Sequence, residues 1–155
     1  MSQIHSYALH YVALGFKVLA LEAKSKQPHK KLAPRGMHSA TDDIFLISEW
    51  FDADPNINIG IYCKGSNLVV FDVDFRNGGT IDGLPPTRRI KTGDGYHYYY
   101  TATQDMSFPG KWREGVDIKW NGYVVAAPSI HPSGQRYYVD DITPFRSVSE
   151  LVGAM

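Results

Sequence analysis

The sequence predicts an α+β fold built on a mainly antiparallel sheet. Two segments with helical periodicity come first. From residue 58 onward, short strand-like runs follow one another, separated by Gly, Pro and Asn. Helices ahead of many strands are the pattern of an α+β domain.

Ile4, Tyr7, Ala8, Tyr11 and Val12 recur at helical spacing, with Ser2 placed to cap that helix and Gly15 to end it. Residues 16–21 read as a strand. A long connection over 22–40 holds Lys24, Lys26, His29, Lys30, Lys31 and Arg35. Thr41 with Asp42 and Asp43 opens a second helix, since acids favour the first turn. That helix carries Ile44, Phe45, Ile47, Trp50 and Phe51, and Pro55 closes it. Strands are expected over 58–62 and 68–75, paired as a hairpin through the tight turn Lys64-Gly65-Ser66-Asn67. Asn77-Gly78-Gly79 and Pro85-Pro86 mark a loop. Residues 88–92 and 96–101 give two more strands, split by Gly93-Asp94-Gly95. Residues 116–120 and 123–127 flank Asn121-Gly122, a strong hairpin signal, and 136–139 is a short last strand. Residues 147–155 read as the start of a helix cut short. The expectation is a single domain over 1–155, the N-terminal part of a longer protein.

At 155 residues the chain is long enough for one domain with a real core. Sixteen basic residues balance 16 acidic ones, so any attraction for nucleic acid must come from a local basic surface. The lone Cys63 excludes an internal disulfide framework and a cysteine-rich zinc site. It fits a reducing cytoplasm, the expected location. No apolar run approaches the ~20 residues of a membrane span, and the N-terminus lacks the pattern of a signal peptide.

The most informative stretch is residues 67–75. Strand side chains alternate faces, so Asp72 and Asp74 point the same way, roughly 6.6 Å apart at Cα, with Val69, Phe71 and Val73 on the other face. Two carboxylates there repel each other and lose hydration. A divalent cation, Mg²⁺ or Mn²⁺, offsets that cost with the oxygen ligands these ions prefer. A solvated pair at a strand end is the ordinary alternative. Asp117 shares a strand face with Lys119, while Val116, Ile118 and Trp120 take the other. Beside Asp72 and Asp74 it would complete three carboxylates, enough for two ions about 3.5–4 Å apart.

Three further elements could serve an anionic substrate. Thr92, Gly93 and Gly95 form a tight turn that can present N–H groups to a phosphate, and His97 follows as a donor. Ser129 and His131 lie in a Pro/Ser/Gly-rich loop after a strand and could meet phosphate or sugar. Lys30, Lys31, Arg35 and Arg88 are the basic side chains expected to contact template or phosphate. Each element alone also reads as a plain hairpin, turn or solvated loop. Tyr98, Tyr99 and Tyr100 could stack on bases, although such a run is more often core.

In order along the chain come Asn58-Ile59-Gly60, Asp72-Val73-Asp74, Pro86-Thr87, Thr92 to His97, Gly115-Val116-Asp117-Ile118, and Pro128-Ser129 with Gly134 and Tyr137. Upstream lie the 15–21 strand, Lys26-Gln27-Pro28 and Ala40-Thr41-Asp42 before Trp50. This ordered set resembles the N-terminal bifunctional primase–polymerase domain of plasmid and phage replication proteins, in the archaeo-eukaryotic primase superfamily. The resemblance implies a modified RNA-recognition-motif-like catalytic sheet joined to an N-terminal α/β unit. It implies metal-binding roles for Asp72, Asp74 and Asp117, and a triphosphate contact for His97. It also implies a helicase region elsewhere in the full-length chain. Gly95 stands alone before Tyr96 where the family commonly has a glycine doublet, and one cysteine cannot supply the zinc-binding insertion of some relatives.

The expected function is therefore an enzyme, a metal-dependent nucleotidyltransferase. It would use two Mg²⁺ or Mn²⁺ ions to join NTPs or dNTPs to a primer, or to start one, on a single-stranded DNA template. Lys119 is expected to neutralise charge beside Asp117. A metal-dependent nuclease or nucleotide hydrolase, and a non-catalytic replication-initiator module that binds DNA, are the two alternatives.

Overall fold

The computed structural model describes residues 1–154. The elements are α1 (Gln3–Ala13), β1 (Val18–Leu21), α2 (Ile44–Ala53), β2 (Asn58–Tyr62), β3 (Leu68–Asp74), β4 (Arg88–Lys91), β5 (Gly95–Thr101), β6 (Lys111–Arg113), β7 (Val116–Lys119), β8 (Tyr123–Val125), β9 (Tyr138–Asp141) and β10 (Arg146–Ser147). The fold is α+β with mostly antiparallel sheets, as the sequence predicts.

Local chemistry explains the helix ends. The Ser2 hydroxyl accepts the His5 N–H, and Gly15, at φ +91°, lets the chain leave α1. The second helix starts later than expected. Asp43 caps it, accepting from Phe45 and Leu46, while Thr41 pairs with Val18 in an antiparallel bridge. The long connection over 22–40 is ordered by turns and a 3₁₀ helix at Gly36–Ser39. The segment expected to begin a helix near the end forms a 3₁₀ helix, Val148–Ala154, and the expectation at Met155 lies outside the described residues.

A small sheet runs β1-β2-β8. A large one runs β6-β7-β3-β5-β4-β9, with β10 joining β5 in parallel. The short strands β6 and β10 were not expected. Alternation along β3 divides the interior in two. Leu68 and Val70 join Ile90 and Tyr99 in a core shared with α1, α2 and the small sheet. Val69, Phe71 and Val73 join Tyr98, Tyr100, Val116, Ile118 and Trp120 in a second core on the reverse face. The tyrosine run is thus core on both faces, with all three rings buried.

Two expected hairpins are not formed. β2 does not pair with β3, and β7 does not pair with β8. Instead β2 pairs antiparallel with β8 in the small sheet, and β3 pairs antiparallel with β7 in the large one. Between them the Cys63 N–H donates to the Gly122 carbonyl and the Lys64 N–H to the Trp120 carbonyl. The two segments are one two-stranded ribbon that passes from sheet to sheet. The 3₁₀ turn Lys64–Ser66 and left-handed Asn67 (φ 52°, ψ 38°) bend one of its strands, and Asn121-Gly122 bends the other. Turn-forming residues here change the direction of a ribbon rather than reverse a chain.

Candidate active site

On the face shared with the small sheet, β3 presents Leu68, Val70, Asp72 and Asp74 in turn. The first two are covered by the N-terminal layer, and the acids lie where that cover ends. Asp72 is directly opposite His97 on β5 and Asp117 on β7, and Asp117 is opposite Lys111 on β6. Directly opposite residues of antiparallel strands share a face. His97, Asp72, Asp117 and Lys111 therefore form one row across four strands. Lys119 is opposite Val70, one position along the same face.

His97 is 8 % exposed at its side chain, and its Nε2 lies 3.5 Å from Asp72 Oδ1. Its Nδ1 is buried without a hydrogen-bond partner among the described residues. A buried polar nitrogen left unpaired costs about 1–3 kcal/mol. Burial pushes the Asp72 carboxyl up. The charge and hydrogen bond of His97, with Lys119 and Lys26 nearby, pull it further down, to a net value below the ordinary carboxylate one.

Asp74 is turned onto its own chain. It accepts the Arg76 N–H at 3.0 Å and the Asn77 amide at 2.7 Å. Among the described residues no three His, Cys, Asp or Glu side chains converge on one point as a cation cage would require. The donor set nonetheless suits Mg²⁺ or Mn²⁺: Asp72, Asp74 and Asp117 are three carboxylates on one face, and all three line a single cavity of about 340 Å³ with Asn77, Lys111 and Glu114.

Two more cavities meet at Asp72. One, of about 230 Å³, is lined by Lys26, Arg76, Thr92, Gly93, Asp94, His97, His131 and Tyr137. The other, of about 560 Å³, is lined by Lys26, Gln27, Met37, His97, Lys119, Asn121, Tyr123 and Tyr137. His131 packs so closely on the first cavity's glycine turn that a Cβ at Gly93 would lie 2.6 Å from its Nε2. Burial, with Lys26 and Arg76 close by, holds the His131 imidazole below its ordinary value. Tyr137 lies between the rings of His97 and His131, with centroids at 6.2 and 5.7 Å.

The structure thus brings together Asp72, Asp74, Asp117, His97, Thr92, Gly93, Lys119 and His131. Gly95 does not line these cavities. A Cβ there would stand 1.8 Å from the Val73 carbonyl, so this glycine serves the close approach of β5 to β3. Ser129 is also displaced from the expected role. It is fully buried, and its hydroxyl accepts the Ile59 N–H at 2.9 Å and donates to the Ile59 carbonyl at 3.1 Å. Arg88 lies over the Phe145 ring and donates to the carbonyls of Ile142 and Thr143, away from the acids. Lys30, Lys31 and Arg35 are exposed on the 22–40 connection and line none of the three cavities. Arg76 and Glu114 were not singled out by sequence, whereas Lys26 belonged to the basic connection and Tyr137 to the ordered motif set.

Residues 8–151 match the family Prim-Pol, described as bifunctional DNA primase/polymerase, N-terminal. No curated protein matches the chain.

Proposed function

This chain belongs to the Prim-Pol family, and on that premise we propose that it is a template-directed nucleotidyltransferase acting on single-stranded DNA. Primase or polymerase activity, with DNA and nucleotides as substrates, is what the family implies. The observation that carries the reading to residues is the row His97, Asp72, Asp117, which sets an imidazole and two carboxylates side by side where three cavities meet.

In this reading Asp72, Asp74 and Asp117 hold two divalent cations, which when bound lower the pKa of the attacking 3′-hydroxyl and neutralise triphosphate charge. Asp74 gives up its hydrogen bond from Asn77 to take part. His97 donates to a phosphate oxygen, and Thr92, Gly93 and His131 wall the same cavity. Lys119 offsets charge beside Asp72. Lys30, Lys31 and Arg35 offer a basic outer surface to the template backbone. The large sheet, mostly antiparallel with acids on an inner strand, takes the part of the family's RNA-recognition-motif-like catalytic sheet. The resemblance alone supports a setting in plasmid or phage replication beside a helicase.

The test is primer extension with each nucleotide set, run beside de novo synthesis on single-stranded DNA with Mg²⁺ or Mn²⁺. Product from the wild type and none from Asp117→Asn supports the assignment. Product from both removes the third acid from the mechanism. Degradation of labelled DNA without nucleotides replaces transfer by hydrolysis.

A further inference from the structure

We propose that Lys26 contacts the α-phosphate of the incoming nucleotide and is a catalytic residue of the transfer step; this rests on the nucleotidyltransferase reading above. The two cavities that meet at His97 and Tyr137 differ in chemistry. The smaller one gathers Arg76, paired with Asp94 at 3.5 Å, with His131 and the Thr92-Gly93 turn beside Asp72 and Asp74, a set suited to a chain of phosphates with its counter-cations. The larger one has Met37, Tyr123 and Val125 as apolar wall with the amide of Asn121, suited to a nucleoside. A nucleoside triphosphate has these two halves, and the α-phosphate is the atom group that joins them. Laid across both cavities, it brings the α-phosphate to the ridge of Asp72, His97 and Tyr137. Lys26 is the one lysine or arginine, among the described residues, that lines both sides of that ridge.

The turn that carries Lys26 is fastened on every side. Glu22 N–H donates to the Gln27 carbonyl at 2.9 Å, and Gln27 N–H to the Ser25 hydroxyl at 3.0 Å. The Asn58 amide donates to the Ser25 carbonyl at 3.0 Å, and the Tyr123 hydroxyl to the carbonyl of Lys26 itself at 2.8 Å. The backbone is therefore fixed against β2 and β8 while the side chain is exposed. No carboxylate among the described residues forms an ion pair with it. Its charge nevertheless acts on both Asp72 and His131, which lie across the smaller cavity. Lys30, Lys31 and Arg35, on the same connection, line neither cavity.

In the transfer, the primer 3′-oxygen bonds to the α-phosphorus. The bond from that phosphorus to the α–β bridging oxygen breaks, and pyrophosphate leaves with the electron pair. The hydroxyl proton goes to solvent. Negative charge on the non-bridging α-oxygens is offset by the Lys26 ammonium. Because that contact tightens as charge develops, its loss falls on kcat more than on KM.

Single-nucleotide extension by the full chain, saturated with primer–template and titrated with dATP, tests this for Lys26→Met and Lys26→Arg. Removing one preorganised donor predicts a fall in kcat of about a hundredfold for Lys26→Met, with KM for dATP within about threefold, and a much smaller loss for Lys26→Arg. A second readout needs no turnover: the ³¹P spectrum of dATP bound without primer. In Lys26→Met the α resonance should return toward its free position while β and γ keep their shifts. Wild-type turnover by Lys26→Met overturns the proposal. So does an activity loss recovered by raising DNA concentration, and so does a loss of the β or γ shift instead of the α shift. If the wild type extends no primer yet the α shift depends on Lys26, the polymerase reading falls and the phosphate contact stands.

Discussion

Asp72 and Asp117 face each other directly across β3 and β7, with His97 on the far side of Asp72. Two like charges in opposite positions repel, and the chain keeps both. Replacing Asp117 by Asn should therefore leave the metal-free protein melting no lower than the wild type, while primer extension falls below detection. Melting scans in EDTA and in Mn²⁺ check this. The wild type should gain stability from the ion and the variant should not. A variant that melts lower in EDTA, or that still gains from Mn²⁺, would show that Asp117 plays a different part.

The ionisation of Asp72 is a balance of opposed effects, with burial the largest and His97 next. In the wild type the folded carboxyl lies below its ordinary value. Its contribution to stability is thus complete above the unfolded value of about 3.9 and fades as pH falls through the lower folded one. His97→Phe keeps the burial and removes the partner, so the carboxyl should rise above its ordinary value. The sign then reverses, and acidification eases a penalty present at neutral pH. Carboxyl ¹³C titration should show the rise, and urea unfolding should show the gap between the two proteins narrowing from pH 7 to pH 4.

Gly95→Ala places a methyl group 1.8 Å from the Val73 carbonyl, inside the β3–β5 ladder next to Asp74. Overpacking against backbone costs about 1–3 kcal/mol or more. The urea midpoint should fall accordingly, and Mn²⁺ binding should weaken in the molecules that remain folded. Neutral stability would show that the β3–β5 ladder takes up the methyl group without cost.

Ser129→Ala removes two hydrogen bonds to Ile59 in a fully buried setting. Leaving the Ile59 N–H and carbonyl unpaired should cost about 1–3 kcal/mol in urea. KM for dATP should not change in the folded fraction. A selective rise in KM with stability intact would restore the phosphate contact that the sequence suggested.

The acid face was legible because it depends on one short period. Alternation along 67–75 fixed which side chains accompany Asp72 and Asp74, and the same rule placed Asp117 with Lys119. Partnership between distant strands was not legible, because Asn121-Gly122 and Lys64-Gly65-Ser66-Asn67 carry the residues of a reversal. Their backbone needs are met instead by each other, through the Cys63 and Lys64 N–H groups. Ser129 misled for a similar reason. A serine in a Pro/Ser/Gly-rich stretch after a strand looks like an exposed loop residue, and only the packed structure shows its hydroxyl closing on β2. Nor could the sequence rank the cations of residues 24–35. Which of them overlooks the acids depends on turns held by Asn58 and Tyr123, far along the chain.

The shared ribbon has a mechanical consequence. The strands that carry Asp72 and Asp117 (β3 and β7) and two strands of the small sheet (β2 and β8) are the same ribbon, continuous through its bends. Layers joined in this way cannot slide past one another as separate lobes on a tether can. Moving the β8 wall of the larger cavity away from the acids requires flexing at Lys64–Ser66 and Asn121-Gly122 together, so stiffness at two small corners governs that movement.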